Sequence, residues 1–299
     1  MHFLHGNRRL HPSLKLKDIT PDMYQKFINY LIDDKGFSKQ TVRLTHRTMY
    51  MAIKRAVKPS KKIQANFCED VIIDTPREKS EKNKVRFIDY DQIPAFLQTA
   101  KKDNLLYFMF FCHLIQTGMR KGEAGGLQWS QVDLSNQRIN IIQSLDYSED
   151  LDSPELFGDT KTYKSAREIP ITNWWTMQLN SHRIRQNDNR MRFGKDYRHD
   201  LDLVFAREDG TPIPKSTLFN AFRRLCKKAD LPTDLDIHSL RHTAAVLLLE
   251  SEAEMKYIQD LLGHGSMQIT ADVYSHVSNR IERDSLNKFE DHTWDVFSS

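Results

Sequence analysis

The chain has 299 residues, 39% apolar and 28% charged, which is ordinary for a protein in water and enough for two domains. Its longest apolar run, Leu105 to Ile115, contains a histidine and is too short to span a bilayer, and the N-terminus lacks the apolar core of a signal peptide. Three cysteines, Cys68, Cys112 and Cys226, lie far apart without a C-x-x-C pair, which excludes a disulfide frame or a zinc site and points to reduced thiols in a cytoplasm.

The net charge of +4 is unevenly divided. Residues 1–83 hold 17 Lys/Arg against 9 Asp/Glu, whereas residues 84–299 hold 27 against 31. A basic excess confined to the first quarter of a chain suits a small module held to a polyanion.

After an irregular basic lead-in, Thr20 and Pro21 set the N-cap and first residue of a helix with Met23, Phe27, Ile28, Tyr30 and Leu31 as its apolar positions. Gly36 breaks it, and Ser38 caps a second helix over 38–58 with Val42, Met49, Ile53 and Val57 in one stripe. Its other faces carry Arg43, Arg47, Lys54 and Arg55, placed to meet phosphates, with Thr41, Thr45 and His46 in reach of base edges. Residues 74–85 are polar and charged and read as a linker. The expected domains are therefore a helical one over 1–80 and a second over 85–299.

Two helices are expected between Ile88 and Arg120, the first capped by Asp89 or Asp91 and the second apolar on almost every face, hence buried. Gly125 and Gly126 fall inside a following helix. The pattern then turns to strand period: residues 138–145 and 166–171 read as partners, with an acidic, mobile-looking insert at 146–159 between them. A helix begins near Trp174 and Trp175, both read as core anchors, and residues 203–207 read as a short strand. Pro214 opens a helix with Phe219, Phe222 and Leu225 as its stripe and Arg223, Arg224, Lys227 and Lys228 outward, in reach of backbone phosphates. Asp236 or its neighbour starts the next one, in which His238 and Arg241, three apart, face the same way. Gly263 ends a further short helix, with His264 just beyond it and Tyr274 on the next segment. The tail forms a last amphipathic helix with Ile281, Leu286 and Phe289 apolar.

His-x-x-Arg occurs three times, but only at His238/Arg241 is it followed by Leu-Gly-His and then, ten residues after that histidine, by a tyrosine. Residues 236–252 and 261–277, together with TGMRKGEAGGLQWSQVDL at 117–134, resemble the tyrosine recombinase (phage integrase) family. That family reads TGxRxxEhxxLxWxDID, then HxLRHT, LGHxS and Y, and the likeness covers nearly the whole chain. The resemblance implies a mainly α fold with a small antiparallel β-sheet: an N-terminal helical core-binding domain, then an α/β catalytic domain whose tail docks on a neighbouring protomer. The chain begins almost at Lys15 to Pro21, so the family's first helix is very short or missing and arm-site binding is not expected.

By the same match Arg120 and Arg241 are the catalytic arginines, Glu123 braces them, and His238, His264 and the nucleophile Tyr274 complete the set. Aligning on Arg167 and the Ile-Pro-Ile end gives Lys161 as the catalytic lysine, with Lys164 second. His242 is left to pack or cap. The implied activity is site-specific cleavage and rejoining of double-stranded DNA through a 3′-phosphotyrosine, integrating or excising a bacterial mobile element or prophage. No cofactor and no metal are implied, and no membrane. The implied partners are a homotetramer on two DNA sites and an accessory DNA-bending or directionality factor, at the nucleoid. Two alternatives remain: a DNA-binding regulator of the same fold without catalysis, against which the complete residue set argues, and a type IB topoisomerase, which would need no partner protomer or defined site.

Overall fold

The computed structural model describes residues 14–73, 86–159, 166–263, 289–290 and 293–294. The chain divides into two compact units, Met1–Asn83 and Lys84–Ser299.

In the first unit, α1 (Pro21–Asp33) and α2 (Lys39–Val57) form a pair of amphipathic helices whose ends are set locally. Thr20 accepts from the Met23 amide and Ser38 from the Thr41 amide, so each helix starts where a hydroxyl satisfies an orphan N–H. Tyr24, Ile28, Leu31, Val42 and Ile53 make a small core with Phe67 and Cys68. The Gln25 amide clamps the extended chain beyond, giving to Ile72 O and taking from Ile72 N, both at 2.8 Å.

The second unit is built around α4 (Leu105–Thr117). Asn104 caps it through the Leu106 and Tyr107 amides, and Gly118, at φ 62°, closes it in the left-handed conformation. Phe108 to Ile115 are all buried, as the unbroken apolar run requires. α3 (Ile93–Asp103) packs on one side and α8 (Ser239–Glu250) on another. Neither Asp89 nor Asp91 caps α3: a 3-10 turn at Tyr90–Gln92 precedes it, and no side chain takes the cap bond.

α5 (Lys121–Gly125) is only five residues long. Gly125 and Gly126 end it rather than lie inside it, because β3 (Gln143–Leu145) runs directly against it. A Cβ on Gly126 would stand 2.7 Å from the Leu145 amide nitrogen, and one on Gly122 would run into Ser144 Oγ. The main sheet is β1 (Val132–Asp133), β2 (Arg138–Ile141) and β5 (Arg167–Pro170), with β2 central and both pairings antiparallel. Ile139 faces Ile169 and both are fully buried. The run at 138–145 is interrupted at the exposed Ile142, and its second half pairs elsewhere, with β4 (Phe157–Asp159). The acidic insert is therefore a pinned hairpin: Leu145 and Leu156 bury against Leu201, Leu203 and Ala206, and Asp152 pairs with Arg198 at 3.1 Å.

α6 (Asn173–Phe193) buries Trp175 completely but leaves Trp174 44% exposed, so one tryptophan anchors the core and its neighbour does not. Residues 203–207 carry isolated bridges and no strand. Their carbonyls are taken by side chains of α6: Gln186 donates to Leu203 O at 2.9 Å, and His182 Nε2 lies 2.8 Å from Val204 O. On α7 (Lys215–Lys228) the buried face is Leu218, Ala221, Phe222, Leu225 and Cys226, with Phe219 outside. Arg224 and Lys228 grip Asp103 at 2.6 and 2.8 Å, which ties α7 to α3 and commits two of the four expected phosphate ligands to an internal contact.

All three cysteines are buried and free. Burial pushes their thiols up, Cys68 to about 11 and Cys112 and Cys226 to about 12. Among the described residues no helix is long and apolar enough to cross a membrane.

Candidate active site

The last carbonyls of a helix have no helical partner. In α9 (Met255–Leu262) and its cap, three successive ones are each taken by a different arginine. Arg167 Nε donates to Leu261 O at 2.7 Å, Arg241 Nη2 donates to Leu262 O, and Arg120 Nη2 donates to Gly263 O at 3.0 Å. The three come from separate segments: Arg120 follows α4, Arg167 begins β5, and Arg241 lies in the first turn of α8. Cations at a helix C-terminus are favoured by the macrodipole as well as by the hydrogen bonds. Gly263 ends the helix at φ 64°, and an added Cβ there would come within 3.0 Å of the Arg167 guanidinium.

Glu123 joins two of these arginines. It is 3% exposed, and its carboxylate accepts both Nη groups of Arg167 at 3.2 and 2.9 Å and Arg120 Nη1 at 2.7 Å. It also accepts the Arg120 backbone N–H at 2.9 Å, reaching back from the third position of α5 as in a capping box. Burial would raise its pKa, but Arg167 and then Arg120 outweigh that and hold the carboxyl below the usual range. Glu123 is therefore an anion at neutral pH, shared between Arg120 and Arg167.

Arg241 is 2% exposed. Its Nη1 donates to Gly118 O at 2.6 Å, so it bridges the C-terminal ends of α4 and α9. Burial, and after it the charge of Arg120, push its pKa down to about 9, with Glu123 opposing. It remains a cation at pH 7. The Arg120 side chain is 39% exposed, so the cluster opens to solvent on that side. Positive charge held in place by these bonds and partly desolvated is an electrostatic setting that favours an anion.

His238 is the N-cap of α8, while Asp236 and Ser239 satisfy the helix start, the Ser239 amide giving to Asp236 Oδ1 at 2.9 Å. The His238 ring meets that of His242 edge to face at 4.8 Å. Burial first, then Arg241, lowers the His238 pKa below the ordinary imidazole value. His238 is thus neutral at pH 7 and able to take a proton. His242 packs, as its place on the helix suggested, and its pKa is pushed down to about 4 by burial and by His238.

The structure brings together Arg120, Glu123, His238 and Arg241 of the expected set. Lys161, Lys164, His264 and Tyr274 lie outside the described residues, as does most of the expected tail helix. Arg43, Arg47, Lys54 and Arg55 are exposed on α2, and among the described residues none of them forms an ion pair. His46 turns inward, with Nδ1 3.2 Å from Tyr24 Oη, and Thr45 Oγ1 donates to Thr41 O at 3.0 Å. Those two side chains are engaged within the unit rather than held out toward bases.

The residue that sequence reasoning passed over is Arg167, used there only to align the hairpin. A signal was present: in a strand, positions two apart share a face, so Arg167 lies on the same side as the wholly buried Ile169. An arginine on an inward face requires a buried anion.

The Phage integrase family pattern matches residues 86–280, and the Phage integrase SAM-like domain pattern matches residues 2–71. The chain is similar to a "Tyrosine recombinase XerC-like" protein of Caldanaerobacter subterraneus subsp. tengcongensis, 27% identical over 291 residues, covering 93% of this chain and 72% of that one. It is also similar to the ICEBs1 integrase of Bacillus subtilis, 27% identical over 229 residues, covering 77% of this chain and 60% of that one. Among solved structures, its fold is similar to that of the Tn1549 transposon integrase in complex with a circular intermediate DNA. The TM-score is 0.66 at 20% identity, over 91% of this chain and 87% of that one.

Proposed function

The chain belongs to the phage integrase family, and from that premise we propose how its residues divide the work of cleaving and rejoining DNA. The observation that carries the reading is the cluster in which Arg120 and Arg241, from opposite halves of the chain, are held by shared contacts at the end of α9. Two planar guanidiniums fixed in this way fork onto the non-bridging oxygens of a scissile phosphate and neutralise charge as the pentavalent transition state forms.

Tyr274 is the nucleophile. Its phenolic oxygen bonds to phosphorus as the bond from phosphorus to the 5′-oxygen breaks, giving a 3′-phosphotyrosine and a free 5′-hydroxyl. A free phenol has a pKa of about 10, so the proton needs an acceptor at neutral pH. His238, neutral and at the start of α8, takes it. Lys161 gives a proton to the leaving 5′-oxygen, and His264 adds a hydrogen bond to the phosphate. Because the phosphotyrosine conserves the bond, a second 5′-hydroxyl reseals it by the reverse displacement, with no external energy source.

The unit at Met1–Asn83 is the core-binding module, with Arg43, Arg47, Lys54 and Arg55 of α2 on the DNA backbone. The substrate is double-stranded DNA at the ends of a mobile element, and exchange takes place in a homotetramer on two sites in the cytoplasm, at the nucleoid. The likeness to the ICEBs1 integrase and to the Tn1549 transposon integrase supports that substrate class.

The test is covalent trapping. The chain is incubated in EDTA with a labelled, nicked duplex from the end of the element that encodes it, then denatured in SDS. An adduct with the wild type and none with Tyr274→Phe, at equal DNA binding, is the expected result. Binding of that duplex by the wild type without an adduct would leave a DNA-binding protein of this fold and no strand transfer.

A further inference from the structure

The reaction assigned above does not need Arg167, yet this is the side chain on which the cluster rests. It is 7% exposed, and all three of its nitrogens donate, two to Glu123 and one to Leu261 O. Glu123 in turn fixes Arg120 twice, through its guanidinium and its backbone N–H. The α9 turn that Arg167 holds presents the next two carbonyls to Arg241 and Arg120. Arg167 therefore reaches both arginines by two routes, through a carboxylate and through a helix end, and Gly263 leaves no room for a side chain between turn and guanidinium.

We propose that Arg167 is a positioning residue of the strand-transfer reaction: it locks Glu123 and the C-terminal turn of α9 together, and so sets the geometry in which Arg120 and Arg241 meet the phosphate. The proposal rests on the recombinase reading above. Its physical content is that a bidentate fork plus a third bond makes one rigid joint of three chain segments, which a lysine of equal charge cannot reproduce. Loss of alignment in groups that act chiefly on the transition state lowers the rate more than the affinity.

The full chain is compared as wild type, Arg167→Lys, Glu123→Gln and the double variant, on the nicked duplex described above. Three readouts are taken: single-turnover adduct formation at saturating DNA, the dissociation constant, and hydrogen exchange of the Arg120 backbone amide without DNA. Arg167→Lys should lower the single-turnover rate about 10- to 100-fold, leave the dissociation constant within about twofold, and speed Arg120 amide exchange about tenfold or more. Glu123→Gln should reproduce the loss, and the double variant should be no worse than the weaker single by more than about threefold, since both break one joint.

A wild-type rate in Arg167→Lys, or additive losses in the double variant, would overturn the proposal. So would equal losses of rate, affinity and melting temperature, which mark a merely structural role. A wild type that binds the duplex without forming an adduct defeats the recombinase reading instead. The amide comparison then still decides whether Arg167 holds Glu123 against Arg120.

Discussion

The two units hold their basic side chains in opposite ways. On α2, Arg43, Arg47, Lys54 and Arg55 stand exposed, spaced along one helix by its period and pointing into water. In the second unit Arg120, Arg167 and Arg241 come from three separate segments and converge on one helix end, each with named acceptors. An exposed cation is solvated and screened, and must give up side-chain freedom when it meets a phosphate. A buried one is already ordered, because folding itself has fixed it. The first arrangement suits affinity, the second a transition state.

The largest effect that separates the two is expected at Arg241. Arg241→Gln removes the guanidinium proposed to fork onto the phosphate and strips Gly118 O and Leu262 O of a donor. Single-turnover cleavage should fall about 10³-fold while DNA affinity changes only severalfold, measured by quench and gel shift. Equal losses in rate and affinity would erase the distinction between the regions.

Next comes acid. His113 and His182 are buried in the second unit, their pKa values pushed down by burial to about 3 and about 4. Trp175 Nε1 donates to His113 Nδ1 at 3.1 Å, a bond that needs the neutral ring. The unfolded state binds protons more readily, so this stability is complete above the unfolded pKa and is lost as pH falls through it toward the folded values. At pH 5 each ring should cost about 2 kcal/mol relative to neutral pH. All four tryptophans lie in residues 84–299, so denaturant unfolding followed by tryptophan fluorescence reads that unit alone. A midpoint unchanged between pH 7.5 and 5 would show the rings charged in the folded state. Cleavage should share the direction: because the His238 pKa is lowered, its base form persists, and the acid limb of the rate should fall below the ordinary imidazole value.

The smallest effects belong to α2. Arg43→Ala, Arg47→Ala, Lys54→Ala or Arg55→Ala should each weaken DNA binding about two- to fivefold and reduce the slope of affinity against salt by about one counterion. Cleavage at saturating DNA should not change. A rate defect in any of them would move that residue from the first class to the second.

What could be read in advance follows the same division. Helix starts were legible because they depend on neighbours in sequence: Thr20 before Pro21, Ser38 before α2, Asn104 before α4. The burial of α4 was legible because no polar face interrupts it. Residues 203–207 were misread as a strand because their carbonyls are claimed by Gln186 and His182, which lie in another element and leave no local trace. The acidic insert hid a strand for a similar reason, its Leu156 finding a small core made with Leu201 and Leu203. Gly125 and Gly126 looked like weak helix and prove to be the clearance for β3. At the site, Arg120, Glu123, His238 and Arg241 stand in motifs, whereas the inward-facing Arg167 shows its purpose only when three distant segments are seen together.

The placement of the cysteines gives the molecule built-in clocks for opening. Cys68 lies in the core of the first unit, and Cys112 and Cys226 lie in that of the second, all as protonated, inaccessible thiols. An alkylating reagent can therefore modify each one only when its own unit opens. A mass-resolved time course would record the lifetimes of the two units separately in one unlabelled sample, with no engineered probe. Running it with and without DNA would show which unit the nucleic acid holds shut.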